Sequence, residues 1–209
     1  MFTPSSYKET DLDQLHHLIE QTRLAVLVTQ DEQGLQASHL PLLLDRSQGS
    51  NGTLYGHFAR ANRQWQALEN GAEALVVFAG PDAYVSAGYY PSKAQDPRTV
   101  PTWNYVAVHA WGKAQVFHDA DHLLDIVRRL SDHHEQRQAK PWSVDEAPAD
   151  YMAGMLKAIV GFALPINRLQ GTRKLSQNRT TIDIEGVRTS LGNSPDPLDN
   201  LLAAQMRPL

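Results

Sequence analysis

Apolar positions divide the chain into a strand-rich first half and a helix-rich second half. Leu12, Leu15, Leu18 and Ile19 recur at helical spacing, which predicts a helix from about residue 12 to Arg23. Thr10 and Asp13 stand at capping-box spacing at its start. Residues 24–29 (LAVLVT) form a short β-rich apolar run and the turn signal DEQG follows at 31–34. Residues 35–44 (LQASHLPLLL) then read as the returning strand of a hairpin. Pro41 cannot donate to a ladder, so that strand needs an edge position or a bulge there. After a loop at 47–52, residues 53–58 (TLYGHF) predict a third strand. Ala61, Trp65 and Leu68 share one face of a short helix, with Asn62 as its cap and Asn70-Gly71 as its stop.

Two further runs, 74–79 and 83–87, read as strands separated by a Pro-Asp turn. Residues 89–101 (YYPSKAQDPRTVP) are a polar loop punctuated by proline, long enough to invite a functional explanation. Residues 102–117 are the longest strand candidate. Trp103, Tyr105, Ala107, His109 and Trp111 fall on one face, and Asn104, Val106, Val108, Ala110 and Gly112 on the other. Gly112 marks a bulge or bend. An amphipathic helix follows at 121–130, then a polar stretch. A second capping-box pair, Ser143 and Glu146, precedes a helix carrying Met152, Met155, Leu156 and Ile159. Residues 159–164 (IVGFAL) predict a last strand, 167–178 a basic and polar segment, and 198–206 (LDNLLAAQM) a short helix.

Many short strands followed by helices predict a mainly β fold with peripheral helices, of the α+β class, around a small antiparallel barrel. The repeated strand–helix alternation of a doubly wound sheet is absent. At 209 residues the expectation is one domain over residues 1–192 with a tail at 193–209.

Composition narrows the chemistry. With 42% hydrophobic and 20% charged residues the chain reads as globular rather than disordered. The absence of cysteine excludes disulfides, thiolate metal sites and cysteine nucleophiles. A net charge of −4 argues against a protein-wide basic footprint for nucleic acid and leaves a local patch open. The first fifteen residues lack a basic segment followed by an apolar run, and no stretch approaches the roughly 18 apolar residues of a spanning helix. A cytoplasmic protein without a membrane span is therefore expected. Dinucleotide, P-loop, zinc-protease and serine-hydrolase templates all fail.

Four segments carry candidate chemistry. ASHLP (37–41) offers the Ser38 hydroxyl and the His39 imidazole from a strand. HFARANRQW (57–65) runs from a strand end into a helix start. Arg60 and Asn62, with His57 nearby, there read either as anion donors or as a plain helix start with a solvated arginine. VPTWNY (100–105) sets Trp103 and Tyr105 beside Asn104, a combination that suits either a flat heteroaromatic ligand or core packing. RKLSQNR (173–179) reads as an anion or ligand contact, a solvated basic loop or a small DNA-facing patch.

Taken in order, MFTPSSY, ASHLP, HFARAN with Trp65, VPTWNY with GKAQV, and KLSQN resemble the PaiB family of FMN-binding negative transcriptional regulators, from the first residues to Asn178. The resemblance implies an FMN-binding split barrel that pairs as a homodimer, with flavin in the groove between subunits. It assigns the phosphate to Ser38, His39, Arg60 and Asn62, with His57 nearby. It assigns the ring to Trp103, Asn104 and Tyr105, joined by Lys174, Gln177 and Asn178 from the partner. Two positions depart from the family pattern: Arg63 stands where proline is frequent, and Thr172 follows Gly171 where lysine is expected.

The family implies a regulator, with DNA or a protein as partner, although no helix-turn-helix with a basic second helix is evident. The alternative is an FMN-dependent oxidoreductase or flavin reductase-like enzyme, in which the flavin carries the redox step. No catalytic residue stands out; His109 is the one to test. Haem binding through His39, His57 or His109 is a third alternative.

Overall fold

The computed structural model describes residues 1–206. In chain order it contains β1 (Lys8–Glu9), α1 (Leu12–Gln21), β2 (Ala25–Asp31), β3 (Gly34–Leu40), β4 (Leu43–Asp45), β5 (Thr53–Ala59), α2 (Gln64–Glu69) and β6 (Glu73–Val85). Then come β7 (Thr102–Lys113), β8 (Gln115–Phe117), α3 (Ala120–Glu135), α4 (Ala149–Lys157), β9 (Ile159–Pro165), β10 (Arg168–Lys174), α5 (Thr181–Gly192) and α6 (Pro197–Gln205). The fold is mainly β with peripheral helices, as the pattern predicts.

The chain divides into two compact units. The first comprises residues 1–18, 79–108 and those from 170 onward; within it the strands run β1-β10-β7-β6. Its core includes Ala83, Val85, Val106 and Val108 from the sheet and Val187, Leu191 and Leu202 from α5 and α6. The second comprises residues 19–78 and 109–169. It holds the run β6-β2-β3 and a four-stranded sheet, β4-β5-β9-β8. Phe58 and Phe162 meet at 5.3 Å between ring centroids in its core, with Leu54, Leu123 and Leu164 fully buried.

Pairing with a second sheet, more than residue type, decides where strands break. The predicted strand 35–44 is two strands: β3 ends at Leu40, Pro41 interrupts the ladder, and β4 pairs with β5 in the other sheet. β3 lies at a sheet edge, where a missing donor is tolerated. The strand 102–117 likewise breaks at Ala114, and β8 pairs with β9. Two predicted strands, by contrast, are one. β6 runs through Pro81, which lies past the three residues that β2 pairs, so no donor is needed toward β2 at that point.

Other local expectations shift by a few residues or fail. Asp11, not Thr10, caps α1: its carboxylate accepts from the Asp13 and Gln14 N–H groups. The Ser143–Glu146 capping box forms, but it closes a single turn at 144–146, and α4 begins only after Pro148. β1, β10 and α5 had no sequence signal. β10 (RLQGTRK) has few apolar residues to alternate, and α5 (TIDIEGVRTSLG) is rich in β-branched residues and glycine, so neither period stands out.

Candidate functional site

Within the second unit, three side chains from β3 and the start of α2 form one closed network. Gln64, 1% exposed, donates from Nε2 to the Leu27 carbonyl, the Thr29 hydroxyl and the Gln36 carbonyl, each at 3.1 Å. Its Oε1 accepts from the Ser38 hydroxyl at 2.6 Å. The Ser38 oxygen accepts in turn from Asn62 Nδ2 at 2.8 Å, and Asn62 Oδ1 accepts from the Gln64 N–H at 3.1 Å. Ser38 and Asn62 are thus brought together, as expected. Asn62 orders the turn before α2 rather than capping it, since Arg63 holds the cap position.

The other expected phosphate residues lie differently. His39 follows Ser38 on β3, so alternation turns it to the opposite, exposed face. Arg60 is engaged by backbone: Nε donates to the Lys157 carbonyl at 2.7 Å and Nη2 to the Ile159 carbonyl at 2.8 Å. It ties the end of α4 to the end of β5, and its Nη1 faces His118 Nδ1 at 3.3 Å. The Trp65 indole N–H closes the segment onto the Arg60 carbonyl at 3.1 Å.

His57 is half-buried on β5, and its Nδ1 is buried without a hydrogen-bond partner. Burial pushes its pKa below the ordinary 6.5. A histidine held neutral contributes stability that is fully present above 6.5 and lost as pH falls from there through its lowered folded value. We expect the melting temperature to fall on acidification from pH 7.5 to 5. His57→Gln should flatten that slope; an unchanged slope would assign the dependence to other groups, such as His109 or His134, whose pKa values burial also lowers.

In the first unit, β7 alternates as predicted. Asn104, Val106 and Val108 are buried, while Trp103 is 55% exposed and packs edge-on against Tyr84 at 5.8 Å. Tyr105 is half-buried on the outward face, where alternation also puts Trp103. Lys174 Nζ donates to the Thr102 hydroxyl at 2.6 Å and the Trp103 carbonyl at 2.7 Å, and burial lowers its pKa. Asn104 Nδ2 donates to the Ser176 hydroxyl at 2.9 Å. Ser176 sits at φ +67°, in the left-handed region, and the following Gln177 turns back to bond the Leu175 N–H and the Arg173 carbonyl. Gln177 therefore shapes this turn by local bonds.

These residues enclose a polar recess of about 120 Å³ lined by Tyr90, Asn104, Lys174, Asn178 and Arg179. Asn104 Oδ1 and Tyr90 OH are buried there without hydrogen-bond partners, on side chains 0% and 2% exposed. Arg179 lies over the Tyr90 ring at 4.6 Å. Such a recess admits about four waters, or the polar edge of a larger group, and is too small to enclose a tricyclic ring. Asn104, Lys174 and Asn178 thus converge within one chain, whereas the resemblance placed Lys174 and Asn178 on the partner.

Gln64 and Tyr90 were not singled out, and Arg179 entered only as the end of the RKLSQNR segment, without its place over Tyr90. Gln64 lies inside HFARANRQW, but a glutamine at a helix start reads as a surface residue until its three carbonyl and hydroxyl partners are known. Tyr90 and Arg179 are far apart in sequence and have no shared spacing to reveal them.

The family model described as "Putative FMN-binding domain" matches residues 1–168. The chain is 32% identical over 206 residues to the Bacillus subtilis "Protease synthase and sporulation protein PAI 2", covering 99% of this chain and 96% of that one. Among solved structures it resembles the FAD and heme binding protein from Mycobacterium smegmatis (TM-score 0.60, 18% identity, 86% of this chain and 79% of that one). It also resembles the flavocytochrome Anf3 from Azotobacter vinelandii (TM-score 0.57, 16% identity, 83% and 70%). At those identities the likeness is one of fold, and that fold is the split barrel. With the family model and the relative of near-full coverage in agreement, the chain belongs to the PaiB family of FMN-binding split-barrel proteins.

Proposed function

We propose that the protein works as a homodimer that holds FMN between subunits and serves as a regulator of the PaiB type. The observation that carries the reading is the outward face of β7. It offers Trp103 and Tyr84 as exposed flat apolar surface beside a recess too small for the ring. A planar cofactor there rests on an open surface and needs a second surface to cover it.

The donor set suits the group. The pyrimidine edge of a flavin alternates acceptors with one N–H. The unpartnered Asn104 Oδ1 can accept, while Lys174, Asn178 and the Tyr90 hydroxyl can donate. Because Lys174 is bonded to Thr102 and Trp103 of its own chain, the ring surface is assigned to one protomer. The Ser38–Asn62 network, with His57 and Arg60, is assigned to the phosphate in the opposite protomer, and His39, on the other face of β3, is left out of it. FMN supplies one- and two-electron redox chemistry when bound, and the residues named bind and orient it. The regulatory reading rests on membership of the PaiB family, to which the Bacillus subtilis "Protease synthase and sporulation protein PAI 2" is related.

Light scattering and a fluorescence titration with FMN and riboflavin test the reading. A dimer that binds FMN well above riboflavin is expected; a monomer, or equal affinity for the two, would overturn it. Arg60→Ala should weaken FMN about tenfold or more while leaving riboflavin unchanged, since a charge-assisted contact contributes about 1.5–3 kcal/mol. Equal weakening of both would mean that Arg60 acts only by anchoring α4. NADH and NADPH oxidation by the loaded protein separates an enzyme from a sensor.

A further inference from the structure

Within the second unit, a cavity of about 630 Å³ lies between α3, the turn at 143–147 and α4. That volume is typical of small-molecule sites. Its walls are aliphatic: Leu124, Met152 and Leu156 line it, and no phenylalanine, tyrosine or tryptophan among the described residues does. The one ring among the described lining residues, the His118 imidazole, is already held by Arg60, Glu69 and the Trp65 ring, so a flat ligand finds no free stacking platform. Unbranched, adaptable Met152 beside leucines suits a flexible alkyl chain.

The charge of the lining runs against that of the chain. Arg60, Arg128 and Lys157 face the cavity with one carboxylate, Asp145, although the protein carries a net −4. Arg60 is already engaged by backbone carbonyls. Arg128 is not fully engaged. Its Nη2 donates to Asp145 at 2.6 Å, but its Nε is buried without a partner. Only Nη2 has a protein partner, so the guanidinium lining the cavity keeps donor capacity for an arriving carboxylate.

We infer that this cavity binds a medium-chain aliphatic monocarboxylate. The carboxylate pairs with the accessible side of the Arg128 guanidinium, Lys157 adds a second positive charge, and the chain lies along Leu124, Met152 and Leu156. The site shares only Arg60 with the flavin assignment, and the inference does not depend on that assignment.

Calorimetric titration of the FMN-loaded protein with decanoate, and with decan-1-ol as the neutral counterpart, tests this. Saturable one-to-one binding of decanoate is expected, at least tenfold tighter than the alcohol. Arg128→Met should weaken decanoate at least tenfold and leave the alcohol unchanged, with Arg128→Lys intermediate. Ala153→Trp, on an exposed part of α4 that lines the cavity, should abolish binding with melting temperature and FMN affinity retained. Absence of decanoate binding, or binding indifferent to these substitutions, overturns the inference. So does a wild-type dimer that takes up no decanoate and that Ala153→Trp dissociates, because the cavity would then be a subunit contact.

Discussion

Gln64→Leu is expected to lower stability by about 3 kcal/mol, equivalent to roughly 6–12 °C in melting temperature for a chain of this size. Leucine nearly matches the volume, so the loss is one of hydrogen bonding rather than of packing. The substitution removes the donor that serves Leu27, Thr29 and Gln36 and the acceptor that orients the Ser38 hydroxyl. Thr29 is 2% exposed and cannot turn to water. Buried groups left unpaired each cost about 1–3 kcal/mol, partly recovered where a carbonyl keeps a ladder bond. If Ser38 and Asn62 hold the FMN phosphate, FMN affinity should fall several-fold as well, because both lose a fixed orientation. Thermal melting and FMN titration of the same variant read the two effects separately. A melting temperature within 2 °C of wild type would show that the network is not a structural anchor.

Gly112→Ala is expected to be at least as damaging. A Cβ built on Gly112 falls 2.2 Å from the Pro165 carbonyl oxygen and 2.7 Å from a Leu164 methyl. The leucine could change rotamer, but the carbonyl belongs to the end of β9, next to the Asn167 N–H that donates to the Trp111 carbonyl at 2.8 Å. Relief requires β7 and the end of β9 to separate, which breaks that bond and disturbs the buried Leu164. Overpacking against backbone of this kind costs about 3 kcal/mol or more. Poor yield of folded protein, or a melting temperature lowered by about 10 °C, is the expected result. Gly171→Ala makes a useful comparison. Its Cβ would meet the terminal methyl of Leu15, which can move, so a smaller loss is expected there despite the shorter 2.1 Å approach. Equal tolerance at both positions would mean that the β9 end shifts freely.

Much of the candidate site was legible as short strings of residues. Ser38, Arg60 and Asn62 were marked by hydroxyl, guanidinium and amide groups at a strand–helix junction, and Trp103 to Tyr105 by aromatics flanking an amide. What those strings could not show was direction. Arg60 carries the fork that phosphate favours, yet the fork is closed on the carbonyls of residues 157 and 159, nearly a hundred positions away. Gln64 looked like a surface residue and is nearly fully buried.

The alternating face of β7, the apolar stripe of α3 and the β2–β3 hairpin follow from local spacing. Periodicity and turn chemistry act over a few residues, and they determined the α+β class from sequence alone. Tertiary structure decided where the ladders break and which polar atoms go unpaired. Pro41 and Ala114 end one strand each because a second sheet receives the chain beyond them, and Pro81 does not because no donor is needed toward β2 there. β10 and α5, with weak periods of their own, are organised by what they pack against. The cavity beside Arg128 and the recess at Asn104 arise from residues distant in sequence. Their chemistry depends on partners that only the folded chain brings near.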